Sequence, residues 1–183
     1  MEKVRAYLRN ASEVLLQLPH DRITEVIAVL EQARAEGRRI FVFGNGGSAA
    51  MASHFATDLG KGTVQEGRPR FKVMALNDNI PLLTAYANDF GYDTVFAEPL
   101  ASLAEPGDVA IAISSSGNSP NVLRAVDVAR ERGLVTIGIT GFEGGGLRDR
   151  VDVCVIVPAN NMQHVEDGQW AVLHAVFVAL RDG

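Results

Sequence analysis

Five short runs of mostly apolar residues recur along this chain, at Ile40–Phe43, Lys72–Leu76, Val109–Ile113, Val135–Ile139 and Val153–Val157. Near-continuous apolar runs of this length suit strands buried on both faces, as in a parallel sheet covered by helices. Between and after them, the segments 48–60, 81–88, 94–103, 119–132 and 161–181 read as helices. This alternation predicts an α/β fold, a three-layer αβα sandwich around a five-stranded parallel sheet with right-handed crossovers. Two more helices, 3–17 and 22–36, precede the first strand. Leu8, Ala11, Leu15 and Leu18 form one stripe; Ile23, Val26, Ile27 and Leu30 form another.

The 183 residues suffice for one domain, with 1–37 as an N-terminal helical pair and 38–183 as the αβα core and C-terminal helix. A hydrophobic content of 47% argues against disorder. The net charge of -5 gives no electrostatic reason to expect a nucleic-acid partner. No apolar run reaches the length of a membrane span, and Met1–Arg5 lacks the apolar core of a signal peptide. The single cysteine, Cys154, has no internal disulfide partner and reads as a buried, inert thiol. These features predict a cytoplasmic protein. The leading helices, and a long last helix carrying Trp170 and Phe177, offer packing surface beyond one sheet, which predicts a homo-oligomer.

Two loops share one grammar. The third strand runs into Ser114-Ser-Ser-Gly-Asn-Ser119, and Pro120 opens the next helix with Ser119 as its N-cap. A strand that ends in hydroxyls and passes into a helix N-terminus suits a phosphate, because free N–H groups and the helix dipole favour an anion. The Lys of a P-loop is absent. The first strand runs into Gly44-Asn-Gly-Gly-Ser48, where the glycines allow close approach and Ser48 can cap the following helix. Here Ala49 stands where a dinucleotide fingerprint needs glycine. Two such units predict a ligand site at the carboxyl ends of parallel strands.

His54 and Asp58 are four apart on the helix after the glycine loop and share a face. Glu166 and His174, eight apart on the last helix, lie within about 80° of each other around its axis. If the helices meet, two histidines and two carboxylates converge, which suits Zn²⁺ or a similar ion, or equally an acid–base pair. Spacing alone is also that of ordinary charged decoration on a helix surface. His20 and His164 have no patterned neighbours and read as surface residues.

The segments Gly44–Ala50 with His54-Phe-Ala56, Ala87–Tyr92, Ile113–Asn121 and Ile139-Thr-Gly141 together resemble the phosphoheptose isomerases of the SIS (sugar isomerase) phosphosugar-binding family. The resemblance runs in order along nearly the whole chain. It implies a flavodoxin-like sheet, a homotetramer, one Zn²⁺ per subunit and no nucleotide cofactor. The implied activity is an aldose–ketose isomerase that converts sedoheptulose 7-phosphate to D-glycero-D-manno-heptose 7-phosphate through an enediol. Carried over by position, Ser114, Ser115, Ser116 and Ser119 would hold the phosphate. Asn45, Gly46, Gly47, Ser48, Asn79 and Glu166 would meet the substrate. His54, Asp58, Glu166 and His174 would hold the metal, with Asp58 and His174 catalytic.

Three places in the chain depart from that pattern. Asp58 stands where the family has a glutamate, one methylene longer. Glu166 stands where it has a glutamine, adding a negative charge. In the segment Asn77-Asp-Asn-Ile-Pro81, Asn79 takes the place of an aspartate, and Ile80 and Pro81 replace small hydroxyl residues. The last change keeps open an isomerase of a different sugar phosphate. A non-catalytic phosphosugar-sensing or protein-binding SIS module is the other alternative, against which both His54 and His174 are present.

Overall fold

In the computed structural model, which describes residues 1–183, the five apolar runs pair side by side. They form β1 (Arg39–Gly44), β2 (Lys72–Ala75), β3 (Val109–Ile113), β4 (Val135–Thr140) and β5 (Val153–Ile156), all parallel, in the order β2-β1-β3-β4-β5. The helices are α1 (Glu2–Leu16), α2 (His20–Glu36), α3 (Gly47–Thr57), α4 (Ile80–Phe90), α5 (Ala97–Leu103), α6 (Pro120–Glu131) and α7 (Met162–Asp182). The expected αβα sandwich is therefore present.

Side chains of adjacent strand residues point to opposite faces, which splits the core in two. Ile40, Val42, Ile111, Ile113, Ile137 and Ile139 face one way, against Leu30 of α2, Met51 and Phe55 of α3, and Val172 and Val176 of α7. Phe41, Phe43, Ala110 and Ala112 face the other way, against Leu100 of α5 and Val122 and Val126 of α6. The two alanines on β3 leave room on that face for the larger rings, and Phe43 packs against Phe96 with centroids 5.4 Å apart. After β1 the chain crosses to the first face through α3; after β3 it crosses to the second through α6. The crevice between neighbouring strands whose connections diverge is where ligands bind in open α/β sheets. Here it lies at Gly44 and Ile113, which are paired in register.

Four local expectations change. The helix expected over 48–60 stops at Thr57 and continues as a π-helical turn, Asp58–Gly62. A side chain at Gly62 would begin 2.6 Å from the Phe177 ring, so this ring of α7 packs directly on the backbone of the turn. The helix expected over 94–103 is a 3₁₀ turn, Tyr92–Thr94, followed by α5. His164 is not a surface residue: its side chain is 11% exposed and stacks on Tyr7 with centroids 4.4 Å apart. Cys154 is half-buried rather than buried, and burial pushes its thiol up to about 11, so it stays protonated and unreactive at neutral pH. No helix is long and apolar enough to cross a membrane.

Arg34 ties the frame together. Buried in α2, it donates to the carbonyls of Pro69 at 2.7 Å, Thr63 at 3.1 Å and Leu180 at 3.4 Å, with its guanidinium over the Phe71 ring. It thus fastens the segment after the π turn to the end of α7. Arg34→Met is expected to cost about 2–4 kcal/mol, because the buried Thr63 and Leu180 carbonyls and the part-buried one of Pro69 lose a charged donor. Urea unfolding would measure this; a loss under about 0.5 kcal/mol would show that water replaces the guanidinium.

Candidate functional site

Glycine lets the two loops meet. A Cβ on Gly44 would lie 2.6 Å from the Ile113 carbonyl oxygen and 2.7 Å from Ser48 Cβ, so only glycine brings β1, β3 and the start of α3 this close. Gly46 stands at the N-cap of α3 with φ +54° and ψ -119°. Ser48 therefore sits inside the helix, and no side chain caps it, contrary to expectation. Across the crevice, Asn45 and Asn121 exchange reciprocal amide bonds of 2.8 and 2.9 Å, which clamp the glycine loop to the first turn of α6. Tyr92 adds a hydroxyl bond to Asn45 Oδ1 at 3.2 Å. The clamp holds both helix N-termini toward one point.

The serine loop folds back on itself, with the Gly117 N–H donating to Ser114 O at 3.0 Å. Ser119 is at the N-cap of α6 as expected, yet its hydroxyl makes no capping bond; it lies 3.3 Å from the Ser114 hydroxyl. Ser116 is exposed, while Ser114 and Ser115 are buried. Asn45, Ser48, all four of these serines, Met162 and Glu166 line a cavity of about 190 Å³. No basic side chain lines it, so an anion there would be held by hydroxyls, backbone N–H groups and the α6 dipole. Glu166 is the one charged group in the lining, and its carboxylate also lies against Gly47.

The second cluster sits where α3 meets α7. His54 Nε2 is 3.3 Å from His174 Nε2 and 3.3 Å from Asp58 Oδ2. Donor atoms of all three residues lie within 4.8 Å of one another. Two imidazole nitrogens cannot face each other at such a distance without a proton or a cation between them. Ligands about 2.0–2.1 Å from a tetrahedral ion stand about 3.3–3.4 Å apart, so both short separations match edges of a metal-binding tetrahedron. The His/Asp/His donor set thus fits a divalent ion. Trp170 packs on both imidazoles, at 5.0 Å from His54 and 5.6 Å from His174, and walls one side. The π turn begins at Asp58, and such turns recur at functional sites.

Glu166 lies outside this group, in the serine cavity instead. Asn79 also lies elsewhere: its side chain caps α4 through the Leu82 N–H at 3.1 Å, and it lines a separate apolar groove with Met74 and Pro81. Its neighbour Asp78 pairs with Ser53 of α3. Two site residues escaped the sequence reading. Asn121 and Gln169 are almost wholly buried polar side chains, and both bond to loop residues. A polar residue at an otherwise apolar helix position was the only signal of either.

Comparison with known proteins places these features in company. The family model described as "SIS domain" matches residues 5–141. A curated phosphoheptose isomerase of Geobacter sulfurreducens is 39% identical over 179 residues, covering 96% of this chain and 94% of the relative. One from Thiobacillus denitrificans is 42% identical over 158 residues, covering 85% and 80%. The solved structure of a phosphoheptose isomerase from Neisseria gonorrhoeae superposes with a TM-score of 0.92 at 29% identity, covering 100% of this chain and 98% of that one.

Proposed function

We propose, since the chain belongs to the SIS domain family and within it to the phosphoheptose isomerases, how its own residues carry out that reaction. The enzyme is an aldose–ketose isomerase that interconverts sedoheptulose 7-phosphate and D-glycero-D-manno-heptose 7-phosphate. The single observation that carries the mechanism is the convergence of His54, Asp58 and His174, on the same two helices that send Ser48 and Glu166 into the hydroxyl-lined cavity.

The phosphate sits in the serine loop, taking hydrogen bonds from Ser114, Ser116 and Ser119 and from loop N–H groups. Asn45 and Ser48 meet the sugar, and Glu166 accepts from its hydroxyls. With the phosphate fixed, C1 and C2 of the sugar reach Asp58 and His174. A proton leaves C1, the C2 carbonyl oxygen gains one, and the C1–C2 enediol forms. A proton then returns to C2 while the C1 hydroxyl gives one up, leaving the aldehyde. Asp58 and His174 make these transfers, one acting at carbon and the other at oxygen. Near-attack placement of the two groups supplies much of the rate.

A zinc ion, one per subunit, belongs to this reading, held by His54, Asp58 and His174. When bound, it supplies positive charge beside oxygens that become negative during enolisation. The reading also includes a homotetramer. Neither α1 nor α4 buries a single residue within the chain, although Val4, Leu8 and Leu15 on α1 and Ile80, Leu82 and Phe90 on α4 are exposed apolar groups. A cytoplasmic setting completes it, in keeping with a lone cysteine.

The test is incubation with sedoheptulose 7-phosphate in D₂O, followed by NMR. An aldoheptose phosphate carrying deuterium at C2 is expected. Phosphosugar binding without product or exchange would overturn the isomerase reading. Ser116→Ala is expected to raise KM for the phosphosugar by about 5- to 150-fold, the cost of a lost hydrogen bond of about 1–3 kcal/mol. An equal loss of affinity for unphosphorylated sedoheptulose would remove the serine loop from phosphate binding.

A further inference from the structure

One buried side chain holds the serine loop from behind. Gln169 lies in α7 and is 0% exposed. Its Nε2 donates to the Ile139 carbonyl at 3.0 Å, and its Oε1 accepts the Ser115 hydroxyl at 3.0 Å. The Ile139 carbonyl also takes the Ser114 N–H at 3.1 Å. The Ser115 carbonyl in turn accepts from the Gly141 N–H at 3.0 Å and from Thr140 Oγ1 at 3.3 Å. Gln169 thus closes a ring of bonds that joins the end of β4 to the first residues of the loop.

The chemistry of a hydroxyl makes this ring consequential. Serine has one O–H proton to donate. That of Ser115 is committed to Gln169, in a buried place where breaking the bond strands both partners. Ser115 can then only accept at its side chain, and the dianion of a sugar phosphate offers no proton from its phosphoryl group. Ser116, which accepts the Asn118 N–H, keeps its hydroxyl proton free, and of Ser114 and Ser119, whose oxygens lie 3.3 Å apart, one donates to the other and the second keeps its proton.

We propose that Gln169 is a positioning residue of the phosphate site: it holds Ser115 turned inward, and so sets the loop that presents the other three hydroxyls and the backbone N–H groups to the anion. This rests on the sugar-phosphate reading above. It also links the phosphate loop to the helix that carries Glu166 and His174, since all three residues lie on α7.

A double-mutant cycle on inorganic phosphate binding, measured by calorimetry on Q169M, S115A, their combination and the unaltered protein, tests it. Q169M is expected to weaken phosphate binding by about tenfold. The double variant is expected to bind no more weakly than Q169M, because both changes break one bond. Multiplicative losses, or no loss in Q169M, would overturn the proposal. With sedoheptulose 7-phosphate, Q169M is expected to raise KM while kcat changes by less than about threefold, the mark of lost binding common to ground and transition states. A fall in kcat at unchanged KM would also overturn it. Should Q169M not fold, S115A against S116A decides: the exposed Ser116 must matter more, and a larger loss in S115A would make Ser115 a direct phosphate ligand. If the unaltered protein binds phosphate yet turns over no sedoheptulose 7-phosphate, the isomerase reading fails while the phosphate cycle still tests Gln169.

Discussion

His174→Ala is expected to lower kcat/KM by about 10³-fold or more while leaving the fold and phosphate binding intact. The imidazole is half of the proposed proton-moving pair, and removing such a group alone costs about 10²–10⁴. It is also one of three donors that converge within 4.8 Å, so the loss falls on both parts of the site. Stability should change little, because His174 is exposed and the α7 core residues Val172, Val176 and Leu180 are untouched. Phosphate affinity should be retained, since the serine cavity does not include His174 in its lining. The checks are steady-state kinetics with sedoheptulose 7-phosphate, a thermal melt and phosphate calorimetry on the same preparation. A rate within about threefold of the unaltered enzyme would take His174 out of the mechanism.

How far the sequence foretold this site follows from where its signals lie. The five strands were legible because burial on both faces leaves unbroken apolar runs such as Val109–Ile113. The two loops were legible because glycines and serines cluster where backbones must approach. Contact between His54 and His174 was not, because the residues are 120 apart and nothing in a helical period says which helices touch. Glu166 shows the limit of an angular argument: it shares a broad face of α7 with His174, yet two turns of rise along the helix put it in the serine cavity. The break after Thr57 was hidden too. Apolar spacing continues through Leu59, and the Phe177 ring that packs on Gly62 at the end of the π turn comes from a distant helix. Gln169 carries no signal of its role in the sequence, since its partners Ser115 and Ile139 come from distant segments.

Asp58→Asn is the sharpest probe of the metal-binding donor set. Asparagine keeps the shape of the side chain and removes its charge. Asp58 Oδ2 stands 3.3 Å from His54 Nε2, so the exchange leaves two imidazoles and an amide, with no carboxylate to balance the proposed divalent ion. Metal content after dialysis, read by elemental analysis, is expected to fall from about one zinc per chain toward none. The affinity loss should exceed the roughly 10–100-fold that removing a supporting hydrogen bond costs, because a direct ligand is lost. Activity should fall with it by at least about 10²-fold, since Asp58 is also the proposed partner of His174 in proton transfer. Treating the unaltered enzyme with a chelator separates the two roles. If chelation abolishes activity and added zinc restores it, while excess zinc cannot rescue D58N, Asp58 moves protons as well as holding the ion. If excess zinc restores D58N in full, the carboxylate serves the metal alone, and the proton passes through His174 and another group. Full zinc occupancy in D58N would instead break the assignment of this cluster, because a site that binds equally well without its only carboxylate is not the one its geometry describes.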